Sequence, residues 1–266
     1  MPKPLIITLK EGVDPIYGFQ KAPAPQGMSH QGQYVLMDKT NTYALGVQAL
    51  LEACGKELHS PHPIFTKDNG STIYRPLTFK ETIEARVHDY ESNKDTEERK
   101  RLFQRWNDSC TAVAYKKGTT TFKLVHQSKD LITIPEDFNA AFLPTTYDDI
   151  DGIELRSDCG KYNQHLTKDE VVHHPAWLTA VENDAALLRI YSDIVFTELK
   201  KNEAMAFCVR QNTAGDELLA LLVHDLNYNS NANGDDSLGI SGSFLLVAPS
   251  GAAGATRAKM IRFPKC

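Results

Sequence analysis

The chain has 266 residues, of which 41% are hydrophobic and 24% charged, with a net charge of −5. A chain this long can bury enough apolar surface to fold without disulfides or a structural metal. Its pI of about 6.0 is not the basic balance usual for nucleic-acid-binding proteins.

Leu5 to Leu9 reads as a first strand, and Tyr34 to Met37 as a second. Between them, Gly12 to Gly32 is a loop rich in Pro and Gly. Thr40 or Asn41 can cap a helix in which Ala44, Leu45, Val47, Leu50, Leu51 and Cys54 recur at helical spacing, and Gly55 ends it. Thr78 and Glu81 form a capping box, so the spacing of Phe79, Ile83, Val87 and Tyr90 predicts a helix over Phe79–Glu91. A further helix is expected from Thr96 to Asn107, with Leu102, Phe103 and Trp106 on one face.

The period then changes. Thr111–Tyr115 and Thr119–Val125 are rich in β-formers and flank Lys116-Lys117-Gly118, which predicts a hairpin. Leu131–Ile134 is a further strand candidate. Glu136 to Asn163 is irregular and acidic. Thr167 and Glu170 form another capping box, opening a short helix that Pro175 ends. Asp184 caps a longer helix with Leu187, Leu188, Tyr191, Ile194, Val195, Phe196 and Leu199 on its apolar face, ending near Lys200. Strands are expected at Ala204–Arg210, Leu218–Val223 and Ser243–Val247, although Glu217–Leu226 also suits a helix. The expected architecture is α+β, with helices packed on a mostly antiparallel sheet in a single domain over 1–266. A looser subdivision near 130–165 is the place a boundary would fall.

The five cysteines are at least 49 residues apart and make no C-x-x-C pair, which suits free thiols in a reducing compartment. Leu5-Ile6-Ile7 is shorter than the roughly 7–15 apolar residues of a signal-peptide core. No stretch approaches the ~20 apolar residues of a membrane span. The expectation is a cytoplasmic protein without a membrane partner.

Charge placement is the strongest functional signal. Arg99, Lys100, Arg101, Arg105, Lys116, Lys117, Lys123 and Lys129 are opposed only by Asp108, a local balance of +7. Trp106, Tyr115 and Phe122 are interleaved with them. Basic side chains neutralise phosphates and aromatic faces stack on bases. The bland alternative is a solvated helix face and hairpin. The leading expectation is thus a binding protein for an anionic partner, a nucleic acid or an acidic protein surface.

Two alternatives remain. One is a structural or assembly subunit, able to form a homo-oligomer. The other is a metal-dependent nuclease drawing on Glu136, Asp137, Asp148, Asp149, Asp151, Glu154 and Asp158, because clustered carboxylates hold Mg²⁺ or Mn²⁺. Glu154-Leu155-Arg156 puts an arginine where that chemistry wants a lysine. Asn229-Ser-Asn231-Ala-Asn233-Gly234-Asp235-Asp236 resembles a calcium loop in spacing, but Ile240 stands where a bidentate glutamate is needed. His59, His62, His165, His173 and His174 lack the i, i+4 pairing of a helical metal site. No catalytic residue, metal site or cofactor is assigned from the sequence.

Overall fold

The computed structural model describes residues 17–18, 35–37, 74–92, 100, 102–132, 140–236, 238 and 243–249. The strands are β1 (Tyr17–Gly18), β2 (Val35–Met37), β3 (Tyr74–Pro76), β4 (Trp106–Tyr115), β5 (Thr121–Val125), β6 (Leu143–Pro144), β7 (Ile153–Arg156), β8 (Phe207–Cys208), β9 (Glu217–Val223), β10 (Ala232–Asn233) and β11 (Ser243–Pro249). The helices are α1 (Phe79–Ser92), α2 (Lys129–Ile132), α3 (Lys168–His173), α4 (Pro175–Ala180) and α5 (Ala185–Leu199).

The strands form one mixed sheet in the order β1-β2-β11-β4-β9-β10-β8, with β3, β5, β6 and β7 attached beside this path. β11 runs parallel to β4, and β10 parallel to β8. The other pairs are antiparallel. The chain is thus α+β with a mixed sheet. Among the described residues no helix is long and apolar enough to cross a membrane.

β4 is the central strand, buried along its length after Trp106. It is also irregular. Between Asp108 and Ala112 it advances four residues while β9 advances two, from Leu222 to Ala220. The extra residues form a bulge whose polar groups leave the ladder for other partners. Ser109 Oγ donates to Leu221 O at 2.6 Å, and Thr111 Oγ1 accepts from Phe79 N at 2.9 Å. Cys110 N donates to Leu77 O and Cys110 Sγ to Pro76 O. The bulge therefore fixes where α1 begins.

α1 starts at the capping box foreseen from Thr78 and Glu81, with reciprocal bonds of 2.8 and 3.2 Å. Phe79, Ile83 and Val87 are fully buried. From the same helix Arg86, also 0% exposed, enters the core. Its Nε and Nη2 donate to Asn107 Oδ1 at 3.0 and 2.8 Å, and Nη2 donates to Arg105 O at 2.6 Å. Its Nη1 reaches Tyr191 Oη at 2.8 Å, His224 O at 2.9 Å and Ser230 Oγ at 3.2 Å. The guanidinium also lies 5.4 Å from the Phe103 ring centre. One side chain thereby joins α1, β4, α5 and the chain after β9.

The capping box at Thr167 and the Asp184 cap are present as expected, and α5 ends at Lys200 in the left-handed conformation. The β4–β5 hairpin and β9 also follow the sequence reading. Four expected elements are corrected. The helix expected up to Asn107 is absent over 102–107: residues 102–104 form a turn and Trp106 opens β4, because it pairs with Ser243 far along the chain. Leu131–Ile134 is not a strand: Lys129–Ile132 is helical, with Leu131 N donating to Ser128 Oγ. Pro175 does not merely end α3 but opens α4 at its first turn, where proline loses no hydrogen bond. The strand expected over Ala204–Arg210 shrinks to Phe207–Cys208. The expected Leu5–Leu9 strand and the helix after Asn41 lie outside the described residues. Cys159 is disulfide-bonded, while Cys110 and Cys208 are free. This corrects the expectation of unpaired thiols and removes the support it gave to a reducing compartment.

Two stability outcomes follow. Arg86→Met leaves carbonyls and hydroxyls buried without a donor, at about 1–3 kcal/mol each before relaxation. A net loss of about 3–5 kcal/mol is expected, seen as a lower urea midpoint at unchanged slope. The second concerns His174, 5% exposed, whose Nε2 bonds Lys161 O at 2.9 Å while Nδ1 is buried without a partner among the described residues. Burial pushes this imidazole down from 6.5 to about 4. The unfolded chain therefore takes up a proton that the folded one refuses between those values. Stability is full above pH 6.5 and falls as pH drops toward 4, by about 2–3 kcal/mol from this group. His174→Gln should flatten that part of a stability–pH profile.

Candidate functional site

Side chains alternate across a strand, so Asn107 facing Arg86 puts its neighbour Trp106 on the opposite face of the sheet. Asn107 is in register with Val223, and the next residue of the β9 segment, His224, meets Trp106 there, with ring centres 4.6 Å apart. Tyr228, on the 3-10 turn Leu226–Tyr228, completes a three-ring cluster: 5.0 Å edge-on to Trp106 and 5.5 Å from His224. Tyr228 is 54% exposed, one of two large hydrophobic residues so exposed among those described.

A polar group adjoins the rings. Asn233 Nδ2 donates to Asp236 Oδ2 at 2.8 Å and lies 3.2 Å from His224 Nε2, which is itself 3.5 Å from Asp236 Oδ2. His224 is 7% exposed, and its Nδ1 is buried without a partner among the described residues. Asp225 accepts from Tyr228 N at 3.1 Å and so caps the 3-10 turn. Burial, and then Asp236, raise the Asp235 carboxyl. Cys208 is pushed up to about 11, first by burial and then by Asp235 and Asp236, so it stays a thiol at neutral pH.

The segment carrying this cluster is held from beneath. Asn229 and Ser230 are both left-handed, with φ of 58° and 54°. Ser230 Oγ contacts Tyr191 Oη at 2.6 Å and accepts from Arg86. Asn231 Oδ1 accepts from Ala206 N, and Tyr115 Oη donates to Gly234 O at 2.8 Å. A Cβ at Gly234 would lie 2.6 Å from Val113 Cγ2 and 3.1 Å from Tyr115 Oη. Only glycine lets this segment lie so close to β4. These bonds also account for the calcium-like spacing: the oxygens of Asn229, Asn231 and Asn233 accept from Lys201, Ala206 N and Asp235 N. No cluster of three potential metal ligands exists among the described residues.

The described residues of the basic stretch have separate partners. Lys100 pairs with Glu198 at 2.5 Å. Lys116 pairs with Asp148 at 2.9 Å, and that contact raises its ammonium. Lys123 donates to Tyr147 O and Ile150 O and lies 4.3 Å from the Tyr147 ring centre. Tyr115 is 2% exposed and clamps Gly234, so its ring is not offered for stacking. Phe122 is buried and Trp106 joins the cluster on the sheet. Lys117 and Lys129 are exposed, and Arg105 is half-buried. Arg99 and Arg101 lie outside the described residues.

The acidic segment partners the basic one. Asp216 accepts from Lys117 N and Tyr147 N, and Glu154 accepts from Tyr147 Oη and is in register with Lys123. Arg156 pairs with Asp158. Glu136 and Asp137 lie outside the described residues. Nothing in the sequence pointed to His224, Tyr228 or Asp236 as one group. Their only signal was the Asx-rich run 229–236, which read as a turn.

One solved structure is similar over 82% of this chain and 97% of its own, with a TM-score of 0.52 at 14% identity. It is described as showing the accommodation of massive sequence variation in Nanoarchaeota by the C-type lectin fold. The likeness is one of fold. No protein-family model matches the chain, and no curated protein matches it in sequence. In this C-type-lectin-like frame, the Trp106 cluster sits on the sheet face opposite Arg86.

Gly234→Ala tests how the cluster is held. The added methyl should push the 233–236 segment off β4, lowering the thermal midpoint by several degrees and shifting the Trp106 emission. An unchanged spectrum would mean that the segment tolerates a wider gap.

Proposed function

We propose that the chain is a non-catalytic binding protein, with a C-type-lectin-like scaffold holding a recognition face of Trp106, His224, Tyr228, Asn233 and Asp236. The observation that carries this reading is an aromatic cluster with Tyr228 more than half exposed, set against a carboxylate aimed by Asn233. Rigid aromatic surface beside a few oriented polar groups is the usual chemistry of recognition sites. The neighbour's description, sequence variation accommodated by one fold, supports a frame whose surface residues set what is bound.

The class of function expected from the sequence is kept, and the surface is different. Among the described residues Lys100, Lys116 and Lys123 are engaged within the chain, so an anionic partner on the basic stretch would meet the exposed Lys117. That version gives salt-sensitive nucleic-acid binding lost in Lys117→Glu. An assembly role gains little from the surface, where Ile190 and Tyr228 are the exposed large hydrophobic residues among those described.

Screening the wild type against glycan and peptide arrays, beside Tyr228→Ala and Asp236→Asn, tests the proposed face. Its ligands should weaken at least tenfold in both variants, with both variants still folding cooperatively, as a thermal melt of each checks; Tyr228 is exposed, and Asn keeps the size and one oxygen of Asp236. Ligands retained equally by both variants would rule the face out.

A further inference from the structure

The charge around the recognition face identifies the chemistry of its ligand, and this inference rests on the binding reading above. Asp225, Asp235 and Asp236 fall within twelve residues, and none forms an ion pair with Lys or Arg among the described residues. Several acids elsewhere in the described chain do have a basic partner: Asp184 with Lys80, Glu198 with Lys100, Asp148 with Lys116, Glu170 with Lys161, Asp193 with Lys168 and Glu217 with Arg210. The nearby Lys201 is drawn away to Asn229 Oδ1, and Arg210 donates to Asp235 O and Glu217 rather than to Asp236. No described lysine or arginine forms an ion pair with these carboxylates, and Arg210 acts on Asp235 only through its field.

The aromatic part favours the same sign. The rings of Trp106, His224 and Tyr228 are mutually in contact, tilted or edge-on, so they form a packed cluster with Tyr228 outermost and not a cage. A ring face attracts a cation placed above it, and a guanidinium can stack there while donating to a carboxylate at its edge. We infer that the face takes a positively charged side chain, the guanidinium or ammonium of an arginine or lysine on a partner polypeptide. Its apolar part lies on Tyr228 and Trp106, and its charge meets Asp236, with Asp225 and Asp235 adding to the field.

The protein carries its own reporter. It has two tryptophans, and Trp177 is fully buried, with its Nε1 donating to Met205 O. Ligand-dependent quenching thus reports on Trp106, and Trp106→Phe verifies the assignment. The full chain is titrated with hexa-arginine, hexaglutamate, calcium chloride and a neutral methyl glycoside. Hexa-arginine should quench saturably, weaken at least fivefold in Asp236→Asn and in Tyr228→Ala, and be unaffected by a control pair of exposed acids elsewhere, Asp149→Asn with Asp151→Asn. The other three probes should not quench.

Equal weakening in the control pair would show general attraction to an acidic protein and overturn the inference. Saturable quenching by the glycoside, or by calcium alone, would overturn the cationic ligand while leaving the face as a binding site. No response to any probe, together with array ligands indifferent to Tyr228→Ala and Asp236→Asn, would remove both readings.

Discussion

A single buried guanidinium sets the terms for the rest of the structure. Arg86 enters the core with no carboxylate partner among its hydrogen bonds, so its charge is solvated by carbonyls, hydroxyls and one amide oxygen. Removing an ion from water is costly, and such a group persists only when its hydrogen-bonding geometry is nearly complete. Completing it requires α1, the start of β4, Tyr191 of α5 and the end of β9 to be in place together. The position of Asn107, and hence the outward turn of Trp106, is a consequence of that requirement.

The same network reaches the recognition face through Ser230. Left-handed residues without a glycine's freedom cost free energy and persist where the surroundings hold them. Asn229 and Ser230 are two in succession, and Met205, also left-handed, donates from its backbone to Asn229 O. Trp177 holds Met205 from the other side. The segment bearing Tyr228, Asn233 and Asp236 is thereby fixed before any ligand arrives, which lowers the ordering cost of binding.

Local signals in the sequence were reliable where the physics is local. The Thr78–Glu81 and Thr167–Glu170 boxes, the Asp184 cap and the Lys116–Gly118 turn all act within a few residues and all appear in the fold. Trp106 was misread because its helical spacing with Leu102 and Phe103 is genuine, while the pairing that makes it a strand residue comes from Ser243. The charge count is blind to long-range contacts for a similar reason. Eight basic residues in one stretch look like a surface, but the return of Tyr147–Asp158 engages Lys116 and Lys123. His224, Tyr228 and Asp236 meet Trp106 only across the sheet, so no window of sequence contains the site.

The parallel pairing of β11 with β4 has a consequence for synthesis. β11 lies between β2 and β4, and its pairing with Trp106–Asp108 closes a separation of more than 130 residues. Until residues 243–249 leave the ribosome, β2 and β4 each present an unpaired edge at what becomes the middle of the sheet. Open edges recruit other strands, and long-range pairings form slowly. Once β10 has emerged, a nascent chain of this protein is one strand short of its sheet until β11 follows, with the facing edges of β2 and β4 still open.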